Sequence, residues 1–471
     1  MASSWLQAKR GRRISRGAVQ RGNSKKGVSM MRHHGLLGVA AIVVTVCLVS
    51  HARAGDEAVT PPDPNAELHQ RIDALSSEVD QLKRQQAAQS PAPLEKAPAA
   101  KAVDMQFYGI IKLDAAYDDS RSSAGNFARW VESEGQNNDD DQFNMTANQT
   151  RLGVLLSTPS QNGIKTTGQV EIDFYGSGAA ENKPDAMLRH AFVKADWTNW
   201  NASLLAGQTA DILSPLNAPT VNYSVNWWQG NIGYRRPQIR LTKGTKLADG
   251  VELKLEAGAT RSITDRRFVY TGSTDPDSGS DSGVPTAQGR ASVSFPSFNG
   301  KPGTIGVSGH WGQEDQHVTN ALGAIAGHVD LDTWSGNVDV KLPVTDWLLL
   351  QAEGFVGENL SAYLGGIGQG VDAAQQETIA AQGGWAAVSL GPWAQWQFNL
   401  GAGIDKVDED DVTASAKTPP RLSNVAYFGN ANHALTSNLQ LALEIAHMRT
   451  TYKEAPEGDN LREQVAVIYK F

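Results

Sequence analysis

The chain runs out on a strict alternation, with Val465, Val467, Tyr469 and Phe471 on one side and Gln464, Ala466, Ile468 and Lys470 on the other. A period of two is the signature of a β-strand. Here one face is apolar and the other more polar. Such a strand fits the edge of a soluble β-domain, or the wall of a closed barrel with lipid outside and water inside. A closed barrel is the only β-structure that can cross a bilayer, because every backbone N–H and C=O must be paired internally.

The same period recurs from Asp104 onward. Phe107, Gly109, Ile111, Leu113, Ala115 and Tyr117 share a face opposite Lys112 and Asp114. Val251, Leu253, Leu255, Ala257 and Ala259 stand opposite Glu252, Lys254 and Glu256. About sixteen such segments follow one another, each near the roughly ten residues that a tilted membrane strand needs. Short turns such as Ser160-Gln161-Asn162-Gly163 and Thr198-Asn199-Trp200 alternate with longer polar connections near 118–142, 175–186, 211–230, 262–286, 314–328, 358–375, 408–420 and 452–460. Trp197, Trp200, Trp347, Trp393 and Trp396 gather at the short turns, as an interfacial aromatic belt does. The expected fold is all-β: a transmembrane antiparallel β-barrel of about 16 strands over residues 104–471, preceded by a short α-helical coiled coil.

Residues 1–54 read as a leader and signal peptide. The apolar stretch Leu36 to Val49 is too short for a spanning helix and ends near the small-x-small site Ala52-Arg53-Ala54. This segment holds ten Lys/Arg and no Asp/Glu, which leaves 32 basic and 50 acidic groups and a net charge of −18 for the remainder. That balance disfavours nucleic acid as a partner. The single Cys47 falls inside the leader, so no disulfide is expected beyond it. Residues 55–64 form a spacer. Leu68, Ile72, Leu75, Val79 and Leu82 then make a heptad seam, expected as a coiled coil over 65–88. A flexible linker over 89–103 follows.

No motif points to an enzyme, a cofactor or a metal. There is no His-Glu-x-x-His, no Gly-x-Ser-x-Gly and no P-loop. The run Gly365-Gly366-Ile367-Gly368-Gln369-Gly370 is not set in a strand–loop–helix unit and reads as a flexible external loop. The acidic runs Asp139-Asp140-Asp141 and Asp408-Glu409-Asp410-Asp411, with Asp275, Asp277 and Asp281, read as solvated loop charge. The constellation with chemical meaning is cationic. Parity turns Lys112, Arg151, Arg236, Gln238, Arg240 and Arg290 toward the lumen; Arg189 stays undecided because its strand's parity is ambiguous. An arginine fork matches a carboxylate bidentately and stays charged at any relevant pH, and rings of such groups select anions. The alternative is that these cations pair with lumenal carboxylates such as Asp114, Glu171 or Glu353 and stiffen the wall. The third long connection, from Asp211 to Gly230, is expected to fold into the lumen and carries a single acid.

The opening strand Phe107-Tyr108-Gly109-Ile110-Ile111-Lys112-Leu113-Asp114-Ala115-Ala116-Tyr117-Asp118 resembles the first strand of DcaP-type porins. Thr150-Arg151-Leu152-Gly153, Leu188-Arg189-His190-Ala191-Phe192 and Tyr234-Arg235-Arg236-Pro237-Gln238-Ile239-Arg240-Leu241 are similar to that family too. The terminal Val465, Val467, Tyr469 and Phe471 look like the signal read by the barrel-assembly machinery. The resemblance implies a homotrimeric sixteen-stranded porin, multi-pass in the lipid of the bacterial outer membrane, with its coil in the periplasm, passing small anionic solutes and notably dicarboxylates. A phosphate- or sugar-selective porin, or a structural tether with a plugged barrel, are the alternatives. A sugar path would show a file of lumenal aromatics, which parity does not reveal.

Overall fold

The computed structural model describes residues 103–471 except 126, 138–139, 177–183, 264–278, 280–281, 320–324 and 373, together with Ala74, Ser77 and Val79. Residues 1–93 and 94–471 separate into two units. Of the heptad seam only Val79 is described, helical and exposed; Leu68, Ile72, Leu75 and Leu82 lie outside the described residues, as do the leader and the linker up to residue 102.

The second unit is one closed antiparallel barrel. Each strand is hydrogen-bonded to the next in sequence, and the first, Asp104–Asp118, pairs with the last, Ala455–Lys470, from Ile110↔Lys470 to Asp118↔Arg462. The second stave comes in two pieces, Gln142–Thr146 and Arg151–Ser157, both paired with the first strand. Counted as one, they make a ring of sixteen. A separate two-stranded hairpin, Val371–Asp372 with Glu377–Thr378, belongs to a long connection. Phe471 completes the closure, exchanging backbone hydrogen bonds with Gly109 at 3.0 and 3.2 Å.

Alternation explains the wall. Met105, Phe107, Ile111, Leu113 and Tyr117 are exposed on the outer face, while Lys112, Asp114 and Asp118 between them are buried inside. Ile239 and Leu241 point outward, and Arg236 and Gln238 inward. Short turns close the hairpins tightly: Asn162 and Gly163 take φ of +51° and +78°, the left-handed pair that a two-residue hairpin turn demands. The exposed apolar residues thus form the outer face of the barrel, and the buried polar residues form its interior, the pattern of a wall with lipid outside and water inside.

Candidate pore constriction

The third long connection leaves the wall after Ala202–Ala210 and rejoins it at Arg235–Ala248. Between them it crosses the lumen. Ser308 donates its hydroxyl to the Leu213 carbonyl. Glu353 accepts from Ser214 Oγ at 2.5 Å and from the Leu216 N–H at 2.8 Å. Glu444 then takes the N–H groups of Val221 and Asn222 at 2.6 and 3.1 Å. Asn430 donates to the Pro219 carbonyl at 2.8 Å, and Lys112 to the Val221 carbonyl at 2.7 Å. Asn430 lies on the strand Arg421–Ala434, eight places around the ring from Arg235–Ala248, so the loop reaches the diametrically opposite wall. At Gly230, φ +110°, a side chain would strike the Gly384 carbonyl, which is why the loop backbone lies directly on the wall there.

Glu353 and Glu444 face no cation within ion-pair distance among the described residues. Their oxygens are committed to backbone N–H groups and to Trp385 and Asn430 instead. A buried carboxylate satisfied this way acts as a clasp. In the sequence Glu353 stands only as a possible partner for an arginine under the alternative of a stiffened wall; the clasp is not legible there, because nothing in the strand pattern tells where a loop will lie.

The cations stand mostly on the first half of the ring. Lys112 Nζ is 3.0 Å from Asp114 and also donates to Gln149 at 2.5 Å. Arg151 lies 3.4 Å from Glu171. Arg290 grips Asp339 with two nitrogens at 2.7 and 3.1 Å and reaches Glu256 at 3.4 Å. Arg236 is fully buried, 2.9 Å from Asp211, with its guanidinium over the Tyr363 ring and a bond to the Ala362 carbonyl at 3.1 Å. Burial pushes the Tyr363 phenol up to about 12, so it presents a neutral π face to that cation. Gln238 donates to the Thr209 carbonyl at 3.0 Å.

Arg240 differs from these. Its nitrogens donate to Gln238 Oε1 at 3.0 and 2.7 Å and to the Ala210 carbonyl at 2.5 Å. Among the described residues it has no carboxylate within ion-pair distance. The wall across the lumen is lined by amides: Asn399 and Asn432 both donate to Asn430, and Gln440 to Asn432, at 2.7–2.8 Å.

Arg189, undecided from sequence, turns inward and holds Glu171 at 2.7 Å and Asp173 at 2.5 Å. A bulge causes the ambiguity. Glu171 pairs with His190 but Ile172 with Leu188, so Arg189 is the unpaired extra residue and parity shifts there.

Above the crossing, four connections pool their apolar side chains. Phe127, Trp130, Tyr175, Tyr223 and Trp228 pack with Leu364 and Ile367 in one buried cluster. Tyr175 and Tyr223 stack at 4.0 Å. The Gly-rich run expected to be a flexible external loop is instead built into this cluster. Leu360 and Ile367 have no exposed surface. The Ile367 N–H is taken by Asp405 at 3.2 Å, and the third loop donates from Trp228 to Leu364 and from Gly233 to Tyr363 at 2.8 and 2.7 Å. The charge runs of the rim sit apart: Asp411 accepts from the Ala380 N–H at 2.9 Å and Asp408 from the Asp410 N–H at 3.0 Å, while Asp139, Asp275, Asp277 and Asp281 lie outside the described residues.

Residues 72–259 match the model of the DcaP outer membrane protein family. No curated protein sequence matches the chain. Among solved structures the barrel is similar to the outer membrane channel DcaP of Acinetobacter baumannii, with 20% identity and a TM-score of 0.63 over 80% of this chain and 99% of that one. Lower similarity extends to the anion-selective porin from Comamonas acidovorans (12% identity, TM-score 0.49, 79% and 100% covered) and to a loop-deleted OmpT of Vibrio cholerae (10%, 0.49, 79% and 100%). The resemblance carried by the opening strand is thus matched by the family model over residues 72–259, and the closed sixteen-stranded fold is shared with the DcaP channel.

Proposed function

We propose that this barrel is a passive diffusion channel for small anionic solutes, dicarboxylates foremost, that pass between the third loop and the arginine-bearing half of the wall. The observation that carries the reading is Arg240. Lys112, Arg151, Arg189, Arg236 and Arg290 each have a carboxylate partner, whereas Arg240 is held by neutral acceptors and among the described residues has no carboxylate within ion-pair distance. A fixed guanidinium beside a constriction lowers the cost of stripping water from a carboxylate and raises that of a cation. The opposite wall of amides adds hydrogen bonds without charge. Reversal potentials in a salt gradient, with and without added dicarboxylate, test this. Chloride-over-potassium preference that falls on Arg240→Gln supports the reading, and cation preference in the unaltered protein overturns it.

A plugged structural barrel is the second reading, favoured by the aromatic cluster that ties four connections together over the crossing. It predicts no single-channel conductance. A sugar path receives no support from those aromatics, which are buried against one another instead of lining a file. The assembly that fits this reading is a homotrimer with the coil in the periplasm and Val465, Val467, Tyr469 and Phe471 as the strand recognised by the barrel-assembly machinery.

A further inference from the structure

The outer face of the barrel has a groove of about 410 Å³ beside the short turn Thr198–Trp200. Trp197 and Trp200 form one bank, Leu241 and Leu255 the other. The depth comes from Ala202 and Ala257, which stand where neighbouring outward positions carry larger side chains. Lys243 lies between Ala202 and Leu255 in register and donates its Nζ to the Trp200 carbonyl.

Among described outward-facing strand residues, Lys243 is the one Lys, Arg, Asp or Glu toward the short turns. The other outward charges, such as Arg449, Glu457, Asp459 and Glu463, stand toward the long loops. A lipid-facing lysine is costly near the midplane and tolerable near an interface. The two tryptophans mark that interface. A carbonyl partner satisfies one N–H of the ammonium and leaves its charge uncompensated.

We infer that this groove binds a phospholipid of the periplasmic leaflet, one acyl chain lying along the alanines and the headgroup phosphate on Lys243. Phosphate is a natural counter-ion for a lysine at a membrane surface. A second copy of this chain fits less well. Two barrels side by side in one membrane keep their ends level, and the outward carboxylates Glu457, Asp459 and Glu463 belong to the opposite end. A neighbouring copy therefore brings no described strand carboxylate to Lys243, whereas a phospholipid brings both the charge and the chain.

The test uses the full chain, purified in mild detergent and mixed with phosphatidylglycerol, with native mass spectrometry counting the lipids retained. Lys243→Gln should lower retention about fivefold, the equivalent of roughly 1 kcal/mol for one lysine at a membrane surface. Ala257→Phe, which fills the groove and keeps the lysine, should also lower it. Lys246→Gln on the same strand, paired with Asp249 in the turn, should not, and added inorganic phosphate should not displace the lipid. Heat-modified gel migration establishes that each variant is folded, and the conservative Lys243 change carries the test alone if Ala257→Phe fails. Equal retention by Lys243→Gln and the unaltered protein overturns the inference. So does a cross-linker at position 243 that captures a second copy.

Discussion

The Arg236 guanidinium lies 4.0 Å from the centre of the Tyr363 ring, joining the barrel wall to the sixth long connection. Tyr363 in turn lies against the His310 ring, 3.9 Å between centres and tilted by 30°, and Arg236 is paired with Asp211 at the root of the third loop. One buried arginine thus fastens both inward loops to the wall.

Replacing Arg236 with Gln should therefore loosen the fold more than it alters ion preference. Removing one partner of a buried pair leaves Asp211 uncompensated, at a cost of about 3–5 kcal/mol. The urea midpoint of the detergent-folded barrel should fall and the open-channel current should become noisier. A Tyr363→Ala change should give a smaller version of the same effect. Unchanged stability together with lost anion preference would reverse these assignments.

Arg240 is expected to behave in the opposite way. Arg240→Gln should leave the urea midpoint within experimental scatter while chloride-over-potassium preference falls. The fall should be steeper at 0.01 M salt, where the Debye length is roughly 30 Å, than at 0.1 M, where it is about 10 Å. Dicarboxylate block should weaken more than that of monoanions. Identical reversal potentials at low salt would remove Arg240 from the mechanism.

The clasps can be opened one at a time. Glu444→Ala strips the acceptor from the Val221 and Asn222 N–H groups, each worth about 1–3 kcal/mol when left buried and unsatisfied. The third loop should detach from the far wall, and single-channel conductance should rise with larger fluctuations. Glu353→Ala should act similarly through Ser214 and Leu216. A conductance equal to that of the unaltered channel would show that the loop is held elsewhere.

On the last strand, Val467 faces outward and pairs with Leu113 and Leu441. Val467→Lys sets a charge in lipid at roughly 2–4 kcal/mol near the midplane. Deleting Phe471 removes its two backbone bonds to Gly109. Both changes should reduce the yield of barrel in the outer membrane. Full yield from both would contradict the register of the closing seam.

The wall of this molecule was open to reading because period two is a local property. Ile239 and Leu241 announce their face by their neighbours alone, and Arg236, Gln238 and Arg240 follow by parity. Arg189 escaped because a bulge is a one-residue irregularity that parity cannot register. The clasps of Glu353 and Glu444 escaped for a different reason: each meets its loop partners across more than a hundred residues of sequence. The run from Gly365 to Gly370 misled by composition. Glycine there serves close packing, since a side chain at Gly365 would meet Ile232, and at Gly370 Asn359 and Ser361.

The clasps and the arginines occupy different arcs of the ring. On one arc, two carboxylates fix how far the crossing backbone stands from its support, and so set the bore. On the other, Arg240 carries the selectivity proposed above. Under that proposal, calibre and polarity are written by separate residues, and a lineage of such barrels would exchange one kind of cargo for another by drift at Arg240 without recutting the hole.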